Sequence, residues 1–309
     1  MAEYAIGVDL GGTNLKAAAI SSTGGMLGRS NATTDLTQGP ERVVEDIVSC
    51  IKSIRDRFEG QRLAGVGIGV PGFIRIAEGF IVGSHNLPPL NNYPIRDRIE
   101  EQLGTPVILE NDANAAALGE KWMGAGKDVD DLVLLTLGTG IGGGIISNGR
   151  VLHGFIGMAG ELGHLTVVPN GNPCGCGNKG CLEKHASATA IESMANLLAL
   201  GEKVSAKEVF DLAVQGEERA VRIFQSVGQS LGIALAMLIN TFNYPLYLMS
   251  GGVLPAWDFF YPALIEEVQW RSFTYRNTNT RIEKAVLGYD AGLYGAAYLP
   301  MLAQQDARK

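Results

Sequence analysis

The chain has 309 residues, of which 46% are hydrophobic and 18% are charged, and its formal net charge at pH 7 is −7. This length and composition indicate a well-cored globular protein with room for two domains. The acidic balance excludes general binding to nucleic acid or to an anionic membrane, because either partner requires a basic surface.

The first residues, Met-Ala-Glu, lead directly into an apolar run and lack the basic and apolar segments of a secretory signal. No stretch of about 18 or more apolar residues predicts a membrane span. We therefore expect a cytoplasmic protein that has no membrane partner.

Two parts of the sequence predict the same order of elements: three strands, a helix and a fourth strand. The first copy has strands at 4–9, at 15–20 and from residue 26, then a helix at 41–58 and a strand at 65–70. The second copy has strands at 132–137, 143–147 and 150–153, then a helix at 218–242 and a strand at 246–249. Asn148-Gly149 predicts a hairpin within this second copy.

The two copies also align at their glycine-rich turns, 9–13 with 136–140 and 70–72 with 250–252. The alternative is a chance similarity of such turns. The repeat predicts a duplicated α/β fold with ligands in a cleft between two domains. We place the first domain at 1–117, joined by a C-terminal helix at about 290–309, and the larger second domain at 118–289.

The run from Gly138 to Gly143 fits the G-x-G-x-x-G pattern of dinucleotide-binding proteins. That pattern needs a following helix to meet the pyrophosphate, whereas a hairpin follows here, so this interpretation is rejected. No P-loop sequence is present either. Either glycine turn alone could be a structural hairpin, but a matched pair favours phosphate binding by backbone N–H groups. Asp9, at the end of the first strand, is suited to hold a water bound to Mg²⁺.

Three of the four cysteines, Cys174, Cys176 and Cys181, lie close together, and His164 is ten residues upstream. Three thiolates and one imidazole complete a tetrahedral zinc shell, which indicates structural Zn²⁺ rather than catalytic Zn²⁺. The loop at 170–180 has almost no apolar side chains, so we expect it to depend on the metal for its shape. Free thiols are the alternative, and a nucleic-acid zinc finger lacks the basic helix it would need. Cys50 lies on an apolar helical stripe and is expected to be a buried thiol.

Asp112 follows a predicted strand at 106–109 and precedes an alanine-rich segment that favours a helix. Asp112 or Asn111 is therefore a candidate N-cap. The same position suits a general base, because a helix N-terminus favours the ionised carboxylate.

Several motifs together resemble the ROK family of sugar kinases (repressors, open reading frames and kinases). They are DLGGTNLK at 9–16, GVPG at 69–72, ENDAN at 110–114, LGTGIGGG at 137–144, GELGH at 160–164 and CGCGNKGCLE at 174–183. The resemblance spans nearly the whole chain and implies the actin-like (ribonuclease H-like) ATPase fold. The segment 110–120 is similar to the bacterial glucokinase branch of the family.

This resemblance implies phosphoryl transfer from ATP to a sugar hydroxyl, with Asp112 as the general base, and a homodimer as the assembly. The implied sugar ligands, for glucose or a related hexose, are Gly72, Asn86, Asn111, Asp112, Glu161, His164 and Glu183. The implied nucleotide-binding residues are Asp9, Gly11, Gly12, Thr13, Lys16, Gly138, Thr139, Gly140, Gly251 and Gly252. His164 would also bind the zinc with its other ring nitrogen.

Several alternatives stay open within this resemblance. The substrate could be fructose, mannose, N-acetylmannosamine or N-acetylglucosamine, and the phosphate donor could be polyphosphate instead of ATP. A repressor of the same family would need a helix-turn-helix before the first strand, which begins near Tyr4 here. A non-catalytic sugar sensor is disfavoured by the presence of both Asp9 and Asp112.

The sequence also predicts that zinc and sugar binding are coupled. Glu161 and Glu183 lie close to the ligands His164 and Cys181, so loss of zinc should displace both carboxylates. We expect a smaller effect on nucleotide affinity, because the glycine turns lie elsewhere in the sequence.

Overall fold

The computed structural model describes residues 3–307 of the chain. The chain divides into two compact units. The first comprises Met1–Asp130, Gly144–Gly160 and Val286–Lys309, and the second comprises Asp131–Gly143 and Glu161–Ala285.

The helices and strands follow the predicted order closely. In chain order, the strands are β1 (Glu3–Leu10), β2 (Asn14–Ser21), β3 (Met26–Thr33), β4 (Arg62–Val70), β5 (Phe73–Arg75), β6 (Phe80–Gly83), β7 (Val107–Asn111), β8 (Leu132–Leu137), β9 (Ile141–Ser147), β10 (Arg150–Val151), β11 (Leu246–Ser250) and β12 (Arg281–Lys284). The helices are α1 (Pro40–Arg55), α2 (Ile95–Leu103), α3 (Asp112–Met123), α4 (Glu183–Ala186), α5 (Ala188–Leu197), α6 (Ala206–Val214), α7 (Glu218–Phe242), α8 (Trp257–Arg271) and α9 (Ala291–Asp306).

Two five-stranded sheets repeat one topology. Their strand orders are β3-β2-β1-β4-β7 and β10-β9-β8-β11-β12. In the first sheet β1 runs antiparallel to β2 and parallel to β4, which is also parallel to β7. In the second sheet β9 and β10 are antiparallel, and β11 is parallel to both β8 and β12. This correspondence confirms the predicted duplicated α/β fold.

Strand β10 is shorter than the predicted strand at 150–153, because it ends at Val151. Beyond it, the Leu152 N–H still donates to the Ile145 carbonyl at 2.8 Å. His153 therefore lies in the loop after β10, where the direction of its side chain is not set by the alternation of side chains along a strand.

Strands β1, β2 and β4 of the first sheet are mostly buried, because their apolar side chains alternate toward two layers of helix. On one face Tyr4, Ile6 and Val8 pack with the apolar stripe of α1, which includes Ile47 and the buried Cys50. On the other face, Ala5, Ala18 and Ile20 of β1 and β2 pack with Leu293 and Ala297 of α9. Each large aliphatic side chain buried in this way stabilises the fold by about 1.5–3 kcal/mol.

Helix α9 lies directly on α3, and glycine makes this close approach possible. A Cβ atom on Gly295 would lie 1.6 Å from the Ala115 carbonyl oxygen, and one on Gly119 would lie 2.1 Å from the Ala291 carbonyl oxygen. The predicted domain boundary at residue 117 falls inside α3, whereas the structure keeps this helix whole within the first unit.

The segment 144–160 also belongs to the first unit instead of the predicted second domain. Gly144, at its start, contacts α3: a Cβ atom there would lie 2.6 Å from the Ala117 Cβ and 2.7 Å from the Ala113 carbonyl oxygen. This contact through backbone atoms ties the end of β9 to the first unit.

Helix α7 is the core helix of the second unit. Among the described residues it alone is long and apolar enough to cross a membrane, but 67% of its most apolar window is buried inside the protein. Its pattern is that of a helix whose apolar side chains pack against neighbouring elements.

Candidate active site

The junction of β7 and α3 holds Asn111 and Asp112 in adjacent roles. Asn111 is the N-cap: its side-chain oxygen accepts hydrogen bonds from the Ala113 and Asn114 N–H groups at 2.9 and 3.2 Å. Asp112 is the first helical residue, is exposed, and accepts from the Ala113 N–H at 2.9 Å. The capping role therefore falls to Asn111, and the Asp112 carboxylate lies at a helix N-terminus that favours its ionised form.

Two more predicted sugar ligands lie beside this junction. Asn111 donates through its side-chain nitrogen to the Gly72 carbonyl at 3.3 Å. Gly72 has φ 115°, and a Cβ atom there would lie 2.4 Å from the Gly83 carbonyl oxygen and 2.9 Å from the Ser84 Cβ. Ser84 begins the loop that presents Asn86, and its hydroxyl accepts from the Leu87 N–H at 3.2 Å. The structure thus brings Gly72, the Asn86 loop, Asn111 and Asp112 together in the first unit.

The turn between β1 and β2 contains the predicted phosphate residues of the first unit. The Gly11 N–H donates to the Asn14 carbonyl at 2.8 Å and closes a tight turn around Gly12 and Thr13. A Cβ atom on Gly12 would lie 2.7 Å from the Asn86 carbonyl oxygen, so this turn lies against the sugar loop.

Asp9 and Lys16 flank that turn as paired residues of β1 and β2, and their charged groups are 4.0 Å apart. Burial raises the pKa of the Asp9 carboxyl, and the Lys16 ammonium opposes this rise. The Lys16 ammonium also lies 5.8 Å from the centre of the Tyr289 ring. A carboxylate and an ammonium at one turn suit a site for a metal-bound phosphate.

The second unit contains the matching turn, Gly138 to Gly140, at the end of β8. The Gly138 N–H donates to the Gly140 carbonyl at 2.9 Å, and the Thr139 carbonyl accepts from the Thr189 hydroxyl at 2.8 Å. Gly251, with φ 101°, lies against this turn: a Cβ atom there would lie 2.3 Å from the Leu137 carbonyl oxygen. Gly251, which Gly252 follows directly, therefore packs against the end of β8 from which this turn begins.

The four predicted zinc ligands converge. One ligand atom from each of His164, Cys174, Cys176 and Cys181 lies within 4.8 Å of the others. The Cys176 and Cys181 sulfurs are 3.7 Å apart, and the Cys174 sulfur is 3.6 Å from His164 Nδ1. Tetrahedral zinc with its usual bond lengths separates two sulfurs by about 3.8 Å and a sulfur from a nitrogen by about 3.6 Å, so this donor set fits zinc.

Burial and the neighbouring Cys176 and Cys174 thiols raise the pKa of the Cys181 thiol to about 12. A metal bound here must therefore displace a proton from this buried sulfur. The Asn178 side-chain nitrogen donates to the Cys181 sulfur at 3.4 Å and to the Thr166 hydroxyl at 2.8 Å.

His164 turns its second ring nitrogen toward Glu161, with His164 Nε2 3.9 Å from a Glu161 oxygen. Partial burial raises the pKa of Glu161, the His164 ring lowers it, and the nearby Glu183 raises it further. The three polar side chains predicted to bind sugar in this unit thus lie close enough to influence one another.

Glu183 has a contact that the sequence did not indicate. Its Oε2 atom accepts from the Ile141 N–H at 3.3 Å, and a Cβ atom on Gly140 would lie 2.4 Å from the same oxygen. Glu183 is two residues beyond the predicted zinc ligand Cys181, so it links the cysteine loop to the glycine turn. The Gly138–Gly140 turn therefore lies against a residue that follows the cysteine loop, although the two segments are far apart in the sequence.

Sequence reasoning also missed His153. Its Nε2 atom is 2.7 Å from Oε2 of Glu110, which precedes Asn111 and is only 1% exposed. The hydrogen bond that His153 donates to Glu110 raises the pKa of His153, burial lowers it, and the charge of Glu110 raises it further. The partners are 43 positions apart, and no local motif links them.

Comparison with known proteins agrees with this fold. The model of the ROK family matches residues 5–303, and the chain belongs to the ROK family. A glucokinase of Halalkalibacterium halodurans is 37% identical, over 98% of this chain and 97% of that protein.

Solved structures give the same result. The ROK hexokinase from Thermus thermophilus is 37% identical with a TM-score of 0.89, over 98% of this chain and 99% of that one. The ROK family glucokinase from Streptomyces griseus, solved with glucose and AMPPNP, is 32% identical with a TM-score of 0.74, over 98% and 99% of the two chains. These likenesses confirm the actin-like ATPase fold.

Proposed function

We propose that this protein is a kinase that transfers the γ-phosphoryl group of ATP to glucose and forms glucose 6-phosphate. The observation that carries the proposal is the β7–α3 junction, where Asp112 is exposed at a helix N-terminus and Asn111 and Gly72 lie beside it. The similar S. griseus glucokinase was solved with glucose and with AMPPNP, an ATP analogue, which supports this choice of substrates.

In this mechanism Asp112 accepts the proton of the sugar's primary hydroxyl. The hydroxyl oxygen forms a bond to the γ-phosphorus, the bond from that phosphorus to the bridging oxygen breaks, and ADP leaves. Such transfers depend mainly on positioning and on neutralising charge. Mg²⁺, when bound with the nucleotide, would supply charge neutralisation, and Asp9 is the residue proposed to hold a water of its shell.

The remaining residues position the two substrates. We propose that five side chains form hydrogen bonds with sugar hydroxyls: Asn86, Asn111, Glu161, His164 and Glu183. The phosphates would contact the turns at 11–13 and 138–140 together with Lys16, and the adenosine would lie against Gly251 and Gly252. Gly72 would let the sugar approach the backbone closely.

We propose that the cluster of His164 and the three cysteines holds one structural zinc ion. The distances between donor atoms support this proposal, because they match tetrahedral coordination. Zinc on Nδ1 would fix the tautomer of His164 and direct its Nε2 atom, which faces Glu161 in the structure, to a sugar hydroxyl.

A coupled assay of ADP release tests the proposed activity. Purified protein with Mg²⁺-ATP would be given glucose, fructose, mannose, N-acetylmannosamine and N-acetylglucosamine in turn, and polyphosphate would replace ATP in a parallel series. We expect the highest kcat/KM with glucose and ATP. A clear preference for an N-acetylhexosamine would overturn the glucose assignment, and no turnover with any sugar would overturn the kinase assignment. A cytoplasmic homodimer stays a prediction from the sequence.

A further inference from the structure

Glu110 is a buried carboxylate at the end of β7, next to the proposed catalytic pair. Its Oε1 atom accepts from the Asn111 N–H at 2.9 Å and from the Asn114 side-chain nitrogen at 3.0 Å. Its Oε2 atom lies 2.7 Å from His153 Nε2. Glu110 thus contacts the backbone of Asn111 with one oxygen and His153 with the other.

His153 reaches this carboxylate from the loop after β10. Its own carbonyl accepts from the Ala159 N–H at 3.1 Å, which closes the loop on itself. The imidazole is 39% exposed and lines a cavity of about 720 Å³, together with Arg75 and Glu78 of the β5–β6 hairpin. It is the only charged partner that the described contacts give to Glu110.

We propose that His153 is a positioning residue: by donating to Glu110, it holds the Asn111–Asp112 turn in the geometry that proton transfer requires. This inference rests on the proposed kinase function. His153 acts through Glu110 and contacts neither substrate in this scheme.

The physical reason is the cost of leaving a buried carboxylate without its partner. Removing one member of a buried ion pair leaves an uncompensated charge, which the structure relieves by rearranging or by taking up a proton. Either response alters the hydrogen bond between Glu110 and the Asn111 N–H. Asp112 is the next residue, and a displacement of about 1 Å can reduce turnover by about 100-fold.

We also expect the His153–Glu110 pair to make turnover decline at alkaline pH. A raised pKa means that the imidazolium–carboxylate pair is complete below the ordinary histidine value of about 6.5 and is lost as the pH rises through the raised value. Besides Glu110, the charged groups that line the cavity with His153 are Arg75 and Glu78, and Asp112 follows two residues after Glu110 at the start of α3. Neutral imidazole still donates one hydrogen bond, so kcat should fall at alkaline pH without reaching zero.

Two substitutions at His153 test the proposal with the full-length protein and the sugar that gives the highest wild-type turnover. Leucine fills similar space but has no donor, so His153→Leu should lower kcat by about 10- to 100-fold with little change in the KM for ATP. Glutamine places an amide donor near the former Nε2 position, so His153→Gln should keep at least about a third of kcat and lose the alkaline decline. Thermal unfolding of each variant would verify that it is folded.

A double variant separates positioning from general destabilisation. Glu110→Gln removes the buried charge, so adding it to His153→Leu should restore part of the kcat that His153→Leu loses. A His153→Leu protein with wild-type kcat would overturn the inference, as would a His153→Gln protein with an unchanged alkaline decline. If the wild type phosphorylates none of the sugars, the proposed function fails first, and the two failures are thereby distinguished.

Discussion

Asn111 and Asp112 have adjacent roles at the start of α3. The Asn111 side chain accepts two backbone N–H groups and caps α3, and the neighbouring Asp112 is an exposed residue. Asp112 also accepts from the Ala113 N–H, and the helix N-terminus favours the ionised carboxylate that a general base requires.

We predict that Asp112→Asn keeps the fold and sugar binding but loses turnover. Asparagine has the same shape and no basicity, so kcat should fall by roughly 10²- to 10⁴-fold, while glucose affinity from calorimetric titration stays near wild type. Asp97→Asn is the matched control, since Asp97 is also an acidic residue in the first turn of a helix, α2. If Asp112→Asn turns over at the wild-type rate, Asp112 has no part in proton transfer.

At the scale of elements, the cysteine loop and the glycine turn act as one structure. Cys181 belongs to the proposed zinc site, and Glu183, two residues later, accepts from the Ile141 N–H at the end of the Gly138–Gly140 turn. Displacing Glu183 therefore affects both a predicted sugar ligand and the predicted phosphate turn.

We predict that Cys176→Ala, which removes an exposed thiol of the cluster, abolishes zinc binding and weakens glucose binding at least about tenfold. Tenfold corresponds to about 1.4 kcal/mol, the cost of one unpaired sugar hydroxyl partner. Affinity for AMPPNP should fall as well, because Glu183 contacts the glycine turn.

Metal analysis and calorimetric titration of both ligands would measure these effects. Cys50→Ala is the control, because Cys50 is buried in α1 and is not part of the cluster. Wild type should contain about one zinc per chain. A zinc-free Cys176→Ala protein with wild-type glucose affinity would refute the coupling.

The contact of α3 with α9 gives a second test at this scale. A Cβ atom on Gly295 would meet the Ala115 carbonyl oxygen at 1.6 Å, whereas one on Gly292 of the same helix would meet the Asp9 carboxyl group at ordinary contact distance, 3.9 Å. We predict that Gly295→Ala lowers the free energy of unfolding by about 1–3 kcal/mol or more. Gly292→Ala should leave this free energy unchanged or raise it slightly. Urea unfolding of both proteins provides the measurement, and equal midpoints would contradict the close packing.

At the scale of the whole molecule, the net negative charge disfavours binding to nucleic acid. The chain has 32 acidic and 25 basic residues. We predict no binding to duplex DNA tighter than about 100 µM at physiological salt, because affinity for the phosphate backbone requires a basic surface. Fluorescence anisotropy with a labelled duplex, with polylysine as the positive control, measures this. Salt-dependent binding at micromolar protein would show a basic surface that the net charge conceals.

Much of the fold follows from local pattern. Strand β8 and helix α7 have the bounds predicted for them, since apolar periodicity and flanking glycine or asparagine mark their ends. The cluster of His164 with the three cysteines also follows from the sequence, because the four residues lie in one short segment that leaves few ways to arrange them.

The sequence by itself thus determined the duplicated order of strands and helices, the family motifs and the cysteine cluster, all of which depend on neighbours along the chain. The tertiary structure decided that Asn111 caps α3, that Glu183 contacts the glycine turn and that His153 pairs with Glu110. It also decided that 144–160 belongs to the first unit. The physical reason is that most of these contacts join residues far apart in the sequence, while the cap depends on which of two adjacent side chains faces the helix. Both depend on how whole elements pack together, which the local sequence does not specify.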